Sequence, residues 1–106
     1  MNLTHLEHLP VRELVPGLRG RMIHSAHMTV AHWEFAADTL LPLHQHPHEQ
    51  IINVITGTFE LTVGGETARL GPGNVVVVPG DVPHGGKAVT ACYVIDVFHP
   101  VREDYR

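Results

Sequence analysis

The sequence predicts an all-β domain, a sandwich or a barrel, and three observations carry the prediction. Short runs rich in Val, Ile, Thr and Phe recur at close spacing, Gly and Pro punctuate them, and no segment sustains a helical period. The runs lie at 21–25, 28–36, 50–55, 58–63, 67–70, 74–78 and 89–98. Between two of them, Val63-Gly64-Gly65-Glu66 reads as a two-residue hairpin turn, because such a turn needs positive φ, which glycine supplies at little steric cost. Gly57 and Gly71-Pro72-Gly73 mark further turns. Leu6–Leu14 has room for a helical turn, but Pro10 and Pro16 limit it, so residues 1–20 are expected to form an extended arm and 21–106 the barrel.

The chain has 106 residues, enough for one modest core and too few for a second domain. A formal charge of −4 and seven scattered basic residues argue against a nucleic-acid or anionic-membrane surface. No stretch approaches the ~18 consecutive apolar residues of a membrane span, and Met1-Asn2-Leu3-Thr4-His5 lacks the features of a signal peptide. Cys92 is the single cysteine, expected as a small buried residue, and a cytoplasmic location follows from these readings.

Histidine is the outlier, ten in the chain, and the positions of three of them are informative. In Leu41-Pro42-Leu43-His44-Gln45-His46-Pro47-His48-Glu49-Gln50, the residues two apart on a strand share a face, so His44 and His46 can point at one ion as neutral imidazoles. Gln50 has the same parity and, after the bend favoured by Pro47, can bring its amide oxygen to the same point. Glu49 competes for that place, since a carboxylate is the better anionic ligand, and parity favours Gln50. His84 follows a Pro79-Gly80-Asp81 turn at the start of a strand and would supply the third imidazole. Three imidazoles and one oxygen leave room on a divalent transition ion for water or substrate. His5, His8, His24, His27 and His32 lack ligand-like spacing and are read as ordinary residues, while Trp33 and Phe35 read as one core face.

The two segments resemble the two motifs of the cupins. His44-x-His46, three residues, Gln50, six residues and Gly57 are similar to the first motif; Gly73, five residues, Pro79, and His84 five places on are similar to the second. Gln50 stands where the family usually has Glu, which leaves Fe, Mn, Ni, Cu and Zn equally open as the ion. Asp81 stands where glycine is frequent, and neighbouring Gly80 is expected to serve the turn. The resemblance implies a double-stranded β-helix, a jelly-roll barrel with one divalent metal inside its wider mouth. It further implies a homodimer in which the N-terminal arm adds strands to a partner's sheet.

A second cluster follows at the C-terminal end. Alternation places Cys92, Val94, Asp96 and Phe98 on one strand face and Tyr93, Ile95 and Val97 on the other. Both faces are largely apolar, which predicts a strand covered on both sides. An aspartate there is costly unless paired or set at a cavity. Two readings stay open: Asp96 pairs with Arg102 or with backbone N–H groups, or it acts as acid or base at the barrel mouth while Arg102 holds a substrate carboxylate and Phe98 forms an apolar wall. Asp96-x-Phe98-x-Pro100-x-Arg102, with His46-Pro47-His48-Glu49-Gln50, resembles the pectin-degradation cupins that act on 4,5-unsaturated monouronates. That resemblance implies metal ligation by His44, His46, Gln50 and His84, an active site lined by Asp96, Phe98 and Arg102, and conversion of the cyclic uronate to its linear keto form. The alternatives are a metal-dependent dioxygenase acting on a small organic acid, and a non-enzymatic module binding sugar or metal.

Overall fold

In the computed structural model, which describes residues 1–106, the β runs fold back on one another as two antiparallel sheets. The strands in chain order are β1 (Arg12–Val15), β2 (Leu18–His24), β3 (Thr29–Phe35), β4 (Leu40–His44), β5 (Glu49–Thr56), β6 (Phe59–Val63), β7 (Glu66–Leu70), β8 (Val75–Val78), β9 (His84–Ala88) and β10 (Cys92–His99), with 3₁₀ turns at Leu6–His8 and Glu103–Tyr105. One sheet has the order β1-β2-β3-β10-β5-β8 and the other β4-β9-β6-β7. From β3 to β10 the chain changes sheet at every step except the β6–β7 hairpin, which is the double-stranded β-helix of a jelly roll.

Period-two alternation decides which residues enter the core. Along β10, Cys92, Val94, Asp96 and Phe98 are buried, and along β3, Thr29, Ala31, Trp33 and Phe35. They meet Phe59, Leu61 and Leu70 of the opposite sheet, with Phe35 and Phe59 edge to face at 4.9 Å between centroids. The outer face of β10 departs from expectation: Tyr93, Ile95 and Val97 are only half-buried, so no second layer of this chain covers them.

Three strands fall outside the predicted runs, each for a local reason. β1 is short and pairs with β2 at the sheet edge; β2 itself runs without a break through residue 20. β4 contains Pro42, tolerated because β4 is also an edge strand. β9 carries Gly85 and Gly86, where a Cβ would come within 2.7 Å of the Leu41 carbonyl oxygen and 2.3 Å of that of Glu60. These glycines serve close backbone approach, so a run with little β propensity is nonetheless a central strand.

The hairpin at Gly64-Gly65 forms as expected, with φ of 54° and 85° and Val63 paired to Glu66. Gly57, at φ 87°, differs from Gly65 in its surroundings: a Cβ at Gly57 would lie 2.1 Å from the Ala91 carbonyl oxygen, whereas none meets an obstacle at Gly65. Gly65→Ala is therefore expected to cost about 1 kcal/mol, from backbone strain alone. Gly57→Ala, which adds a clash with backbone, should cost about 3 kcal/mol or more, and urea unfolding of the two variants checks the order.

Candidate metal centre

The two histidine-bearing segments meet through backbone. Antiparallel register sets His44 at the end of β4 opposite His84 at the start of β9. His46 lies in the following loop, and its carbonyl accepts the Asp81 N–H at 2.8 Å. Gly80 permits this approach, since a Cβ there would lie 2.4 Å from the Pro47 carbonyl oxygen. The left-handed residue of the turn is Asp81, at φ 62°. The expectation that Gly80 takes the turn conformation is thus corrected: aspartate tolerates the left-handed region, and the glycine is needed for proximity.

The ring centroids of His44, His46 and His84 lie 4.2 to 5.6 Å apart, and one ligand atom from each falls within 4.8 Å of the others. In each ring, Nδ1–H donates to the backbone carbonyl two residues away: His44 to Pro42 at 2.9 Å, His46 to His48 at 3.1 Å and His84 to Val82 at 2.8 Å. A donating Nδ1 leaves Nε2 as the lone-pair nitrogen, the tautomer a metal requires. His46 Nε2 and His84 Nε2 are buried with no protein partner, as is Gln50 Oε1. Buried polar atoms without partners are costly, so three of them converging with His44 fit a divalent ion that would accept their lone pairs. Burial pushes His46 down to about 4, with the positive charges of Arg102, His84 and His44 acting in the same direction, and burial also lowers His84. Both rings thereby stay neutral and available as ligands.

Gln50 faces inward on β5 and Glu49 outward, where it is exposed. The amide of Gln50 is oriented by its own hydrogen bond, Nε2–H to Asp96 Oδ2 at 2.8 Å, which turns Oε1 away from Asp96. The same Oδ2 accepts the Trp33 Nε1–H at 3.1 Å, and Oδ1 is buried without a partner. Burial pushes the Asp96 carboxyl up to about 7 against the opposing effects of Trp33, Gln50 and Arg102. The pairing of Asp96 with Arg102 that the sequence left open is not formed, because Arg102 bonds to Asp104 instead.

These groups line one cavity of about 240 Å³, which also takes in Phe98, Arg102 and Tyr105. His44, His46, Gln50, Asp96, Phe98 and Arg102 are thus brought together, with His84 against the first two. Two members escaped the sequence reading. Trp33, assigned to the core alone, is buried as expected but also supplies a donor to Asp96. Tyr105 sits on a 3₁₀ turn beyond the last strand, where period-two alternation gives no guide to direction. Of the histidines set aside, His24 joins Thr29 to the Tyr105 carbonyl and His32 bonds to Tyr93 across strands. Cys92 is buried, its thiol donating to backbone carbonyls at 3.2 Å and pushed up by burial. No helix is long and apolar enough to cross a membrane.

A jelly-roll barrel whose mouth gathers three inward imidazoles is a fold able to hold one metal ion. The Cupin domain model matches residues 31–98, and the chain belongs to that family. No curated protein matches the sequence. Among solved structures, an RmlC-like cupin from Shewanella frigidimarina is 27% identical at a TM-score of 0.93, covering 100% of this chain and 96% of that one. KdgF from Halomonas sp. is 33% identical at a TM-score of 0.88, covering 94% and 93%. Salicylate 1,2-dioxygenase from Pseudoaminobacter salicylatoxidans, 19% identical at a TM-score of 0.78 over 81% of this chain and 28% of that one, shares the fold.

Metal analysis after loading and dialysis should find about one equivalent of ion in the parent chain and little in His46→Ala or His84→Ala. Gln50→Ala should weaken retention by roughly tenfold to a hundredfold. Since His46 takes its proton well below the 6.5 of an unperturbed histidine, acidification from pH 7 should release metal only as pH falls below about 6 toward 4. Titration with a chromophoric chelator at several pH values checks the direction.

Proposed function

We propose that this chain is a metal-dependent enzyme that converts 4,5-unsaturated monouronates to their linear keto form. The observation that carries the reading is the convergence, in one cavity, of a carboxyl with a free oxygen (Asp96), a guanidinium (Arg102) and an aromatic wall (Phe98) beside the imidazole cluster. The 33% identity with KdgF over nearly the whole of both chains supports the pectin-related assignment. His44, His46, His84 and Gln50 would hold the ion, which when bound would polarise sugar oxygens as a Lewis acid. Arg102 would bind the uronate carboxylate, and Phe98 would pack against the apolar edge of the ring.

The reaction is an isomerisation. The ring C1–O5 bond breaks, the anomeric hydroxyl loses its proton as the aldehyde forms, and C4 gains a proton as C5 becomes a ketone. Asp96, with Oδ1 free and Oδ2 held by Trp33 and Gln50, is oriented to move that proton. A carboxyl pushed up to about 7 by burial exchanges a proton readily near neutral pH. The metal-loaded chain should abolish the absorbance of the unsaturated uronate's conjugated double bond. Asp96→Asn and Arg102→Ala should each slow this by about a hundredfold or more. Persistent absorbance with the parent chain rejects the reading, and iron-dependent oxygen uptake with a small organic acid would favour the dioxygenase alternative. The lone Cys92 fits a reducing compartment, and the proposal places the chain in the cytoplasm.

The proposal includes a homodimer. On the outer face of the six-stranded sheet, register aligns Ile23, Val30, Val97, Ile51 and Val77 in one row across five strands, next to Ile95 and Val75. Ile23, Ile51, Val75 and Val77 are 37 to 58% exposed. Five strands at about 4.8 Å spacing give a face about 24 Å wide, of order 500 Å² in projection; a stable pair needs roughly 600–1,000 Å² from each partner. The N-terminal arm, with β1 as an open sheet edge, would supply the remainder. Light scattering should find a dimer, and Ile51→Lys with Val77→Lys should give a monomer that still retains metal. A monomeric parent chain would reject this assembly.

A further inference from the structure

Arg102 is only 6% exposed, and its guanidinium is already engaged. Nε–H donates to Asp104 Oδ1 at 3.0 Å and Nη2–H to Asp104 Oδ2 at 2.8 Å, a two-point contact along the side edge of the fork. Two rings pack against it, with Cζ 4.1 Å from the Tyr105 ring centroid and 4.8 Å from that of Phe98. Of the five N–H donors of a guanidinium, two are thereby used. The remaining edge, formed by Nη1 and the second hydrogen of Nη2, makes no second ion pair in the chain, the Tyr105 side chain being the other group that bonds to the guanidinium, and Arg102 lines the cavity.

The backbone under this group is equally fixed. The Arg102 N–H donates to Thr29 Oγ1 at 2.9 Å, and the Tyr105 N–H returns to the Arg102 carbonyl at 3.0 Å. His24 Nε2–H donates to the Tyr105 carbonyl, which leaves Nδ1 to accept from Thr29 Oγ1. Thr29, fully buried, therefore donates once and accepts once, and ties the segment from Arg102 to Tyr105 to the start of β3.

A buried guanidinium requires an anionic partner, and the cavity offers an alternative one in Asp96. If Arg102 turned to Asp96, the free carboxyl oxygen and the free guanidinium edge would cancel each other. Asp104, whose side chain is 57% exposed and lies outside the cavity, satisfies Arg102 from behind.

The geometry points to Asp104 as a positioning residue: its side-on ion pair, with Tyr105 as the platform beneath, holds Arg102 so that its end-on edge forms a two-point seat for one planar carboxylate in the cavity. This rests on the preceding assignment of an acidic sugar to the same cavity. It adds that the ligand is recognised by a single carboxylate and that Asp104, which never touches it, sets the affinity.

Calorimetry with D-galacturonate and with uncharged D-galactose tests this on the metal-loaded chain and on Asp104→Ala, Asp104→Glu and Arg102→Ala. The parent chain should prefer the acid, Asp104→Ala should weaken galacturonate binding by about tenfold, and Asp104→Glu should recover part of the loss. Arg102→Ala should make Asp104→Ala silent when the two are combined, and galactose binding should not change across the series. With the unsaturated uronate, the loss in Asp104→Ala should fall mainly on KM. Equal galacturonate affinity in the parent and Asp104→Ala, or no preference for acid over neutral sugar in the parent, overturns the inference. Preferential galacturonate binding without turnover of the unsaturated uronate would uphold the carboxylate seat and reject the catalytic reading alone.

Discussion

The site depends on one backbone contact, the Asp81 N–H bonded to the His46 carbonyl across the face of Gly80. His44 and His84 are neighbours because β4 pairs with β9, but His46 lies beyond the strand and has no ladder to hold it. The clamp brings its loop against the turn that leads into His84. Each ring is then aimed by a carbonyl only two residues away, so the tautomers follow from local chain geometry once the loops are fixed. A residue with a side chain at position 80 would push the loops apart, and all three rings would lose their common focus.

Around that focus the polar side chains fall into two separate sets. Trp33 and Gln50 share one oxygen of Asp96, and the amide oxygen of Gln50 is left buried without a partner. Arg102 is drawn off by Asp104, which keeps the two charged groups of the cavity from neutralising each other. A cavity this small, in a chain of 106 residues, leaves little apolar core to spare. The same Trp33 and Phe98 rings that line it are also core, so the packing that stabilises the barrel and the shape that receives a ligand are one set of contacts.

Much of this was legible in the residues, and the reasons for the gaps are physical. The His44-x-His46 pair and the Pro-Gly-Asp turn before 84 were enough to point to three imidazoles meeting in one place, although His46 is set there by the loop after β4 and not by the period of a strand. β4 and β9 were missed because proline at an edge and paired glycines at a close approach carry no β signal. The role of Asp81 was misassigned to Gly80, since sequence alone does not separate a glycine kept for conformation from one kept for space. The partner of Asp96 was open between Arg102 and backbone N–H groups; instead Trp33 and Gln50 donate to it, and the 3₁₀ turn at Glu103–Tyr105 puts Asp104 within reach of Arg102. The apolar outer side of β10 was read as covered, and within one chain it is not.

The pairing of His44 with His84 has a mechanical corollary. β4 is an edge strand, interrupted by Pro42 and irregular in register between Leu41 and His44, so its few ladder bonds open readily. An ion shared by the two rings would act as a removable crossbar between β4 and β9. Loading would then slow amide hydrogen exchange chiefly along β4, and chelation would let that one strand fray while the opposite sheet stayed closed.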